Sequence, residues 1–581
     1  MLINNIASPL AFVYFLLWVK FFHISLFAKE ITYPVSRIVF EYGNASSDLP
    51  DLKLLENAFF APNKGVREFQ LSQFVEGFSS PLELTDDSLF RLGEIGVHFL
   101  KENGFEGIVA LPSPKLIDPL SGEDLRAAGD HVLIIQLWVS VLNEVEVELS
   151  GLKGREKLRL EKNIQKQLTL NAFENKPIQS VFFDAINNEI KHSSRSNKVI
   201  LTATESPGRV NALVRSSRKK SEKFSFSALN AGSPSTGKWL FNAEVNNDQL
   251  SGNDDRIQLA TTVSNTGERH SLRGSYYLPF MAGEKLGVGI GLGYSAYDAS
   301  TFAVTTLDFE GENLYGDIAL STNNSFLSGD RLSLKTEIGL KAENVKSFSS
   351  LSGSVDTSML TPRLSMSLNY SGDTRIAQTS FSLFGNVLNI NDADLVSLGG
   401  IDVNEQYARI VITHSEMFLL GKLLAPSTKY LSRHLLSFRL QVSQGLSKNR
   451  HLPHHQFITG GTGSVRGYPE SPAAGDNGIR GSFEYRFPFL ILDNPTGDFP
   501  LVWTMAPFID WANTSVNQPM PWESDQTLLS AGLSIFLPLP YGIYASVDFA
   551  KPLRELVVAG MPMDGTRSND YRIHGNVGWR F

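Results

Sequence analysis

Apolar and polar residues alternate through most of the chain from Lys223 to the last residue, Phe581. In the segment 331–343, for example, leucine, isoleucine and alanine mostly alternate with arginine, lysine, serine and glutamate. Residues two apart share one face of a strand, so this period predicts a sheet with one apolar and one polar face. Strands with their turns and loops need about 22 residues each, and the segment 223–581 therefore predicts about sixteen strands.

The apolar face of so large a sheet needs something to contact. The sequence between the predicted strands indicates neither helices nor a second layer, and aromatic residues such as Trp239, Tyr276 and Trp503 lie at segment ends. Aromatic girdles are typical of strands that cross a membrane. We therefore predict a closed antiparallel transmembrane β-barrel with lipid outside and a wet lumen inside, although alternation alone also fits a soluble sandwich.

Two units of mixed structure precede the predicted barrel. Residues 31–142 and 143–217 each follow the order strand, helix, helix, strand, strand, so both are predicted to be α+β domains. The first contains a long insertion over residues 62–84. An apolar run from Leu10 to Val19, followed by Ala28, predicts a signal peptide over residues 1–28.

Composition removes several classes of function. The chain has no cysteine, which excludes disulfides and thiolate metal sites, and its net charge of −8 argues against a nucleic-acid partner. His451, His454 and His455 cluster, but Pro453 interrupts them, so a loop is favoured over a metal site. The sequence contains no Gly-x-Ser-x-Gly, Walker or His-Glu-x-x-His motif. We expect no enzyme activity, catalytic residue, cofactor or metal.

The most specific signal is a tetrad at residues 465–468, which follows a glycine-rich approach and is therefore predicted to lie on a loop. In the strand 501–511, the period of two places Trp503 and Ile509 outside and Phe508 and Asp510 in the lumen. If the loop folds inward, Arg466 can form a bidentate pair with Asp510. The tetrad consists of Val465, Arg466, Gly467 and Tyr468.

The tetrad and its surroundings resemble a known superfamily. The segments GGTGSVRGYPE, GDNGIRGSFEYRFP and PFIDWA are similar to the sixth-loop and neighbouring strand motifs of outer-membrane transporters that carry POTRA (polypeptide-transport-associated) domains. The two α+β units look like POTRA domains. A pair of such units, instead of a longer series, resembles the arrangement in the two-partner secretion branch, which comprises the hemolysin and adhesin secretion/activation proteins. This resemblance implies a sixteen-stranded barrel, an inward loop carrying Arg466, and Asp510 as its partner.

The resemblance also implies where a substrate binds. An unpaired strand edge can add an extended peptide through backbone hydrogen bonds, and the second strand of a POTRA sheet is the expected edge. A merely solvated edge is the alternative. The candidate residues are Gly107, Ile108 and Val109 in the first unit and Lys198, Val199 and Ile200 in the second.

The last strand carries a further resemblance. Its aromatic residues Trp579 and Phe581 are similar to the signal that the barrel-assembly machinery reads during biogenesis. An amphipathic strand that simply closes the barrel is the other interpretation, and both can hold together.

These features lead to one expected function and two alternatives. We expect a channel in the outer membrane of a Gram-negative-type bacterium, in contact with outer-membrane lipid, with its POTRA-like units in the periplasm. It would export a secreted partner protein and bind no nucleic acid. The alternatives are an insertase that assembles other barrels and, less favoured, a general porin.

Overall fold

The computed structural model describes two units, the first ending at Lys219 and the second spanning Lys220–Phe581. The predicted signal peptide, and part of the predicted insertion, lie outside the described residues. Among the described helices, none is both long and apolar enough to span a membrane. The description covers residues 31–581 except 45–47, 62–68, 120, 153, 191, 207, 282–284, 300–308, 327–331, 350–352, 373, 399–402, 404–405, 425–432, 498, 522, 559 and 568.

The described part of the first unit contains two three-stranded sheets with helices against them and two further sheets of two strands each. The first sheet has the strand order β2-β7-β6 and the second the order β8-β10-β9. In each sheet one outer strand is parallel to the central strand and the other is antiparallel. The strands are β1 (Thr32–Val35), β2 (Arg37–Tyr42), β3 (Phe59–Phe60), β4 (Phe69–Gln70), β5 (Leu82–Thr85), β6 (Ile108–Pro112), β7 (Val132–Val139), β8 (Val141–Ser150), β9 (Arg195–Ala203) and β10 (Arg209–Arg218). The helices are α1 (Leu71–Glu76), α2 (Asp86–Glu102), α3 (Gly154–Asn171) and α4 (Ser180–Ile190), with a 3-10 helix at Leu52–Asn57.

The first core lies between β7 and the long helix α2. Alternate residues of β7, from Leu133 to Val139, are buried on the helix side. Helix α2 begins with a capping box in which Thr85 and Ser88 bond each other's backbone, and this satisfies N–H groups that the first turn leaves free. Gly96 lets helix and strand approach closely, because a Cβ there would lie 2.5 Å from Leu137 Cδ2.

The second core differs from the sequence prediction in two places. The division between the two sheets falls at Ser140, two residues before the predicted boundary, and Leu142 belongs to the second core. The helical spacing of residues 178–191 predicts Val181, Phe182, Ala185, Ile186 and Ile190 on one side of a helix. In the structure Phe182, Ile186 and Ile190 of α4 are buried, but Val181 is 55% exposed.

Sixteen strands of the described part of the second unit form a closed antiparallel barrel, as the alternation predicted. Each strand pairs with its neighbour in sequence order, and β30 closes the ring on β11. The barrel strands are β11 (Glu222–Leu229), β12 (Leu240–Asn247), β13 (Arg256–Ser264), β14 (Arg269–Pro279), β15 (Leu286–Ala299), β16 (Phe309–Ser325), β17 (Leu332–Ser349), β18 (Gly353–Ser371), β19 (Arg375–Phe384), β20 (Arg409–Leu419), β21 (Leu435–Gly445), β24 (Asn477–Leu492), β25 (Leu501–Ser515), β26 (Gln526–Pro538), β27 (Ile543–Pro552) and β30 (Arg572–Arg580).

Shorter elements lie in the connections between barrel strands. Two short helices occur there, although the sequence pattern indicated none. Strands β16 to β18 are 17 to 19 residues long, longer than the roughly ten residues that a membrane-spanning strand needs. Towards one end of β17 and β18, outward-facing positions carry charged residues such as Lys346 and Asp356. A charged outer face is favourable only beyond the lipid, so these strands extend past the membrane. The shorter elements are β22 (Phe457–Thr459), β23 (Ala473–Gly475), β28 (Val557–Val558), β29 (Met561–Pro562), α5 (Asp392–Ser397), α6 (Leu420–Leu424) and 3-10 helices at Pro453–His455 and Pro540–Gly542.

We predict that Ile186→Ala destabilises the domain built on the β8-β10-β9 sheet by about 2–5 kcal/mol, because it removes methyl groups from a buried site that cannot fully collapse. Val181→Ala, on the same helix but exposed, should change stability by less than about 0.5 kcal/mol. Hydrogen exchange of α4 and β10 amides in the full-length protein measures both. Equal protection in the two variants would contradict the packing described for α4.

Candidate functional site

The loop that joins β21 to β24, residues 446–476, enters the barrel lumen, and we call it the inward loop. Its base is a two-stranded hairpin of β22 and β23. The turn beyond it needs glycine, because Gly460 and Gly461 have φ angles of +104° and +87°. Glu470 holds this turn by accepting a hydrogen bond from Thr462 N at 2.7 Å.

Arg466 and Asp510 form a buried bidentate ion pair. Arg466 Nε donates to Asp510 Oδ2 at 2.7 Å and Arg466 Nη2 to Oδ1 at 2.8 Å. The backbone N–H of Arg466 also donates to Oδ2, at 3.1 Å. Asp510 is fully buried and the Arg466 side chain is 10% exposed. The two planar groups therefore hold the inward loop against β25 through three charge-assisted hydrogen bonds.

Four further side chains from three other strands surround this pair, and none of them was predicted. Arg466 Nη1 lies 2.8 Å from Glu484 Oε1 on β24 and 4.0 Å from Asp548 Oδ1 on β27. The hydroxyls of Ser482 and Ser534 accept hydrogen bonds from the same guanidinium. The period of two already placed Ser482 and Glu484 on the polar face of β24, so parity was the signal that could have found them.

The guanidinium also stacks on an aromatic ring. Arg466 Cζ lies 3.4 Å from the centre of the Phe508 ring, so the predicted lumen-facing phenylalanine supports the arginine from below. Gly532 on β26 makes room for this ring, because a Cβ at Gly532 would lie 2.4 Å from Phe508 Cζ. Phe508 thus contributes to the site through a glycine that sequence reasoning missed.

Val465 and Tyr468 fix the tetrad by apolar contact. Both are fully buried, in a cluster with Ala512 and Leu528 on the barrel wall. The Tyr468 hydroxyl donates to a backbone carbonyl and accepts from Leu529 N at 3.1 Å. Ala512 is buried, and its methyl group fills space in this cluster.

The charges in the site are nearly balanced. Burial alone would lower the pKa of Arg466, but the hydrogen bond and charge of Asp510, with Glu484 and Asp548, raise it above its ordinary value. Arg486 adds a second cation, 2.7 Å from Glu484 Oε2. The site therefore contains two arginines and three carboxylates, and Arg466 stays positively charged. Within the described residues, no group of three or more His, Asp or Glu side chains is arranged to hold a metal ion.

Trp579 and Phe581 lie at the seam between the last and first barrel strands, away from the tetrad in sequence and contacts. The backbone of Phe581 exchanges two hydrogen bonds of 3.0 Å with Phe224. Its ring stacks on Phe224 at 5.3 Å and contacts Trp579 at 4.4 Å. These contacts show how the last residue helps to close the barrel; its recognition during assembly stays a prediction.

The two predicted peptide-binding edges lie before the barrel, one in each of the two three-stranded sheets. Ile108 and Val109 belong to β6, and Lys198, Val199 and Ile200 to β9. Both strands pair on one side only within the described residues. Gly107 is not part of the strand, since its φ of +65° belongs to the turn before it.

A closed barrel with an apolar outer face and a charged loop bound in its lumen defines the class of outer-membrane β-barrel transporters. A protein-family model described as "Omp85 superfamily domain" matches residues 249–581, more than half of the chain. The chain belongs to the Omp85 superfamily of outer-membrane transporters.

Solved structures share this fold at low sequence identity. CdiB from Escherichia coli matches with a TM-score of 0.59 and 12% identity, covering 100% of both chains. CdiB from Acinetobacter baumannii matches with a TM-score of 0.55 and 14% identity, over 96% of this chain and 91% of that chain. BamA from Haemophilus ducreyi lacking POTRA domains 1–3 matches with a TM-score of 0.53 and 13% identity, over 95% of this chain and 100% of that chain. In sequence, no curated protein matches significantly.

We predict that Gly467→Ala loosens the inward loop. Gly467 has a φ of +94°, and a Cβ there would lie 3.1–3.2 Å from the backbone of Lys551 and Pro552, which cannot move aside. Hydrogen exchange of residues 460–472 should accelerate. Gly463→Ala is the matched control, because nothing lies within 4 Å of its Cβ and its φ is ordinary, so exchange should not change.

We also predict that Arg466→Ala is more disruptive than Asp510→Ala. Removing the arginine leaves Asp510, Glu484 and Asp548 near one another without their shared cation, whereas removing Asp510 leaves Arg466 with two other carboxylates. Breaking a buried pair costs about 3–5 kcal/mol in a dry site and less in a wet lumen. The same exchange measurement ranks the two variants, and an equal or reversed ranking would contradict the shared role of Arg466.

Proposed function

We propose that this protein is a two-partner secretion channel that exports one partner protein across the outer membrane. The observation that carries the proposal is the inward loop, which occupies the lumen through side-chain contacts centred on Arg466 and not through the barrel's backbone hydrogen bonds. Displacing it would therefore leave the barrel intact and open the lumen. The fold likeness to CdiB, a two-partner secretion transporter, over the whole chain supports this function.

The first unit supplies a route for substrate capture. Strands β6 and β9 each have an edge to which an unfolded chain can add by backbone pairing. We infer that these two domains act as POTRA domains in the periplasm and deliver the partner to the barrel. No catalysis is required, because folding of the partner outside the cell can drive its passage.

An insertase is the second candidate function, and one observation favours it. The seam between β11 and β30 has five paired positions, whereas β11 pairs with β12 over eight. A short seam is the place where a barrel would open sideways to release a new strand into lipid. The fold likeness to BamA agrees with this alternative.

A strain lacking the gene separates the two functions. A secretion channel predicts loss of one surface or medium protein, with the outer-membrane protein profile unchanged. Quantitative proteomics of both fractions measures this. Depletion of many outer-membrane barrels would instead establish the insertase.

Complementation tests the parts of the mechanism. Arg466→Ala and Asp510→Ala should insert as folded barrels but secrete less of the partner, because an unanchored inward loop still lies in the lumen and no longer moves between one closed and one open position. Deleting residues 31–217 should abolish secretion, since capture is lost. A general porin would tolerate that deletion, and two single variants that secrete like the parent would refute the role of the ion pair.

A further inference from the structure

The inward loop leaves part of the lumen open. A cavity of about 550 Å³ lies between the turn of this loop, at residues 462–464, and the barrel wall formed by β19, β20, β21 and β24. Arg480 lines this cavity and also a second one of about 340 Å³. A smaller cavity of about 210 Å³ lies against β16, β17 and β18. Of these three cavities, the two that Arg480 lines are the larger.

That side of the barrel carries three arginines on adjacent strands. Arg439 pairs in register with Ser482, whose hydroxyl contacts Arg466 and Asp510 in the lumen, and cross-strand neighbours share a face. Arg480 is opposite Ala512, which is buried against the inward loop. We call the set the arginine wall; it consists of Arg409 on β20, Arg439 on β21 and Arg480 on β24.

These arginines lack the carboxylates that neutralise other lumen cations. Within the described residues, no Asp or Glu forms an ion pair with any of the three. Arg480 donates to Gln441 at 2.8 Å and lies over the Phe457 ring, and Arg409 donates to Ser443 and to the carbonyl of His455.

The neighbouring strands β17 and β18 are arranged differently. There Lys341 is 2.7 Å from Glu343, and Arg363 is 2.6 Å from Glu337, so each cation has its own carboxylate. The open side of the lumen is therefore positively charged, whereas β17 and β18 are locally neutral.

Around the larger cavity, Arg466 and Arg486 are paired with the carboxylates Glu484 and Asp548, and they leave Arg439 and Arg480 as the cations without an ion pair among the described residues. Other groups there are polar and uncharged, such as Gln378, Ser380 and Thr413. Such groups exchange hydrogen bonds with an extended backbone without holding apolar side chains. Guanidinium groups bind carboxylates through parallel hydrogen bonds, and exposed pairs in water are weak enough to release.

We propose that the arginine wall binds acidic segments of the translocated polypeptide, through their Asp and Glu carboxylates, as they pass the inward loop. The proposal rests on the proposed function and adds the chemistry of the partner to it. Arg439 is exposed and lines the larger cavity, whereas Arg409 and Arg480 are more buried, so Arg439 is the most accessible of the three.

Binding of a fluorescein-labelled decaglutamate peptide to the purified full-length protein, in zwitterionic detergent, tests the proposal by fluorescence anisotropy. The parent should bind, and added salt should weaken binding. The double variant Arg439→Gln/Arg480→Gln should raise Kd by about tenfold, since two weak ion pairs are lost. An uncharged decaglutamine peptide should not compete.

Matched variants make the outcome specific. Arg439→Lys/Arg480→Lys keeps both charges and should retain binding. Arg273→Gln removes a lumen-facing arginine from β14, outside both cavities, and should bind like the parent. A shift in migration between the unheated and the heated sample on a denaturing gel shows that each variant is a folded barrel.

The proposal is overturned if decaglutamate does not bind the parent, or binds the double glutamine variant equally well. Secretion of the partner by strains that carry each variant distinguishes failure of the arginine wall from failure of the channel function. A double glutamine variant that loses peptide binding but secretes the partner normally overturns the arginine wall and leaves the channel. Peptide binding in a protein that secretes no partner overturns the channel function instead.

Discussion

Closure of the backbone hydrogen-bond ring is the constraint on which the rest of this structure depends. In lipid no water can satisfy an open strand edge, so the last strand must meet the first. Phe581 completes that contact by exchanging backbone hydrogen bonds with Phe224. A ring of sixteen strands, however, encloses a lumen too wide for wall side chains to fill, and something else has to occupy it.

The inward loop meets that need with a charged group, which is stable there only because the wall supplies its partners. Arg466 is buried, and an unpaired guanidinium in such a place would be strongly unfavourable. Asp510, Glu484 and Asp548 come from three strands and converge on it, while Phe508 supports its plane. Because none of these contacts belongs to the backbone hydrogen-bond ring of the barrel, the loop can leave without opening that ring. A resting obstruction and an intact wall are thus compatible.

Charge in the lumen is arranged in two regions. Three carboxylates surround the held loop and are paired there with Arg466 and Arg486. The arginine wall forms no ion pair among the described residues and borders the open space beside the loop. Under the proposed function, acidic side chains of an exported polypeptide would be attracted to this second region.

The sequence by itself determined the faces of the barrel, because a period of two fixes which side chains share a side of a strand whatever the strand's neighbours are. It also determined that Arg466 lies on a loop and Asp510 faces the lumen, since glycine content and parity are local properties. It misjudged Gly107 and Val181, whose places depend on a turn and on helix packing. Only the tertiary structure decided that Ser534 and Asp548 join the site and that the arginine wall borders open space. Those facts depend on strand register and on the path of a loop, which bring together residues far apart in the chain and leave no local signal at any one of them.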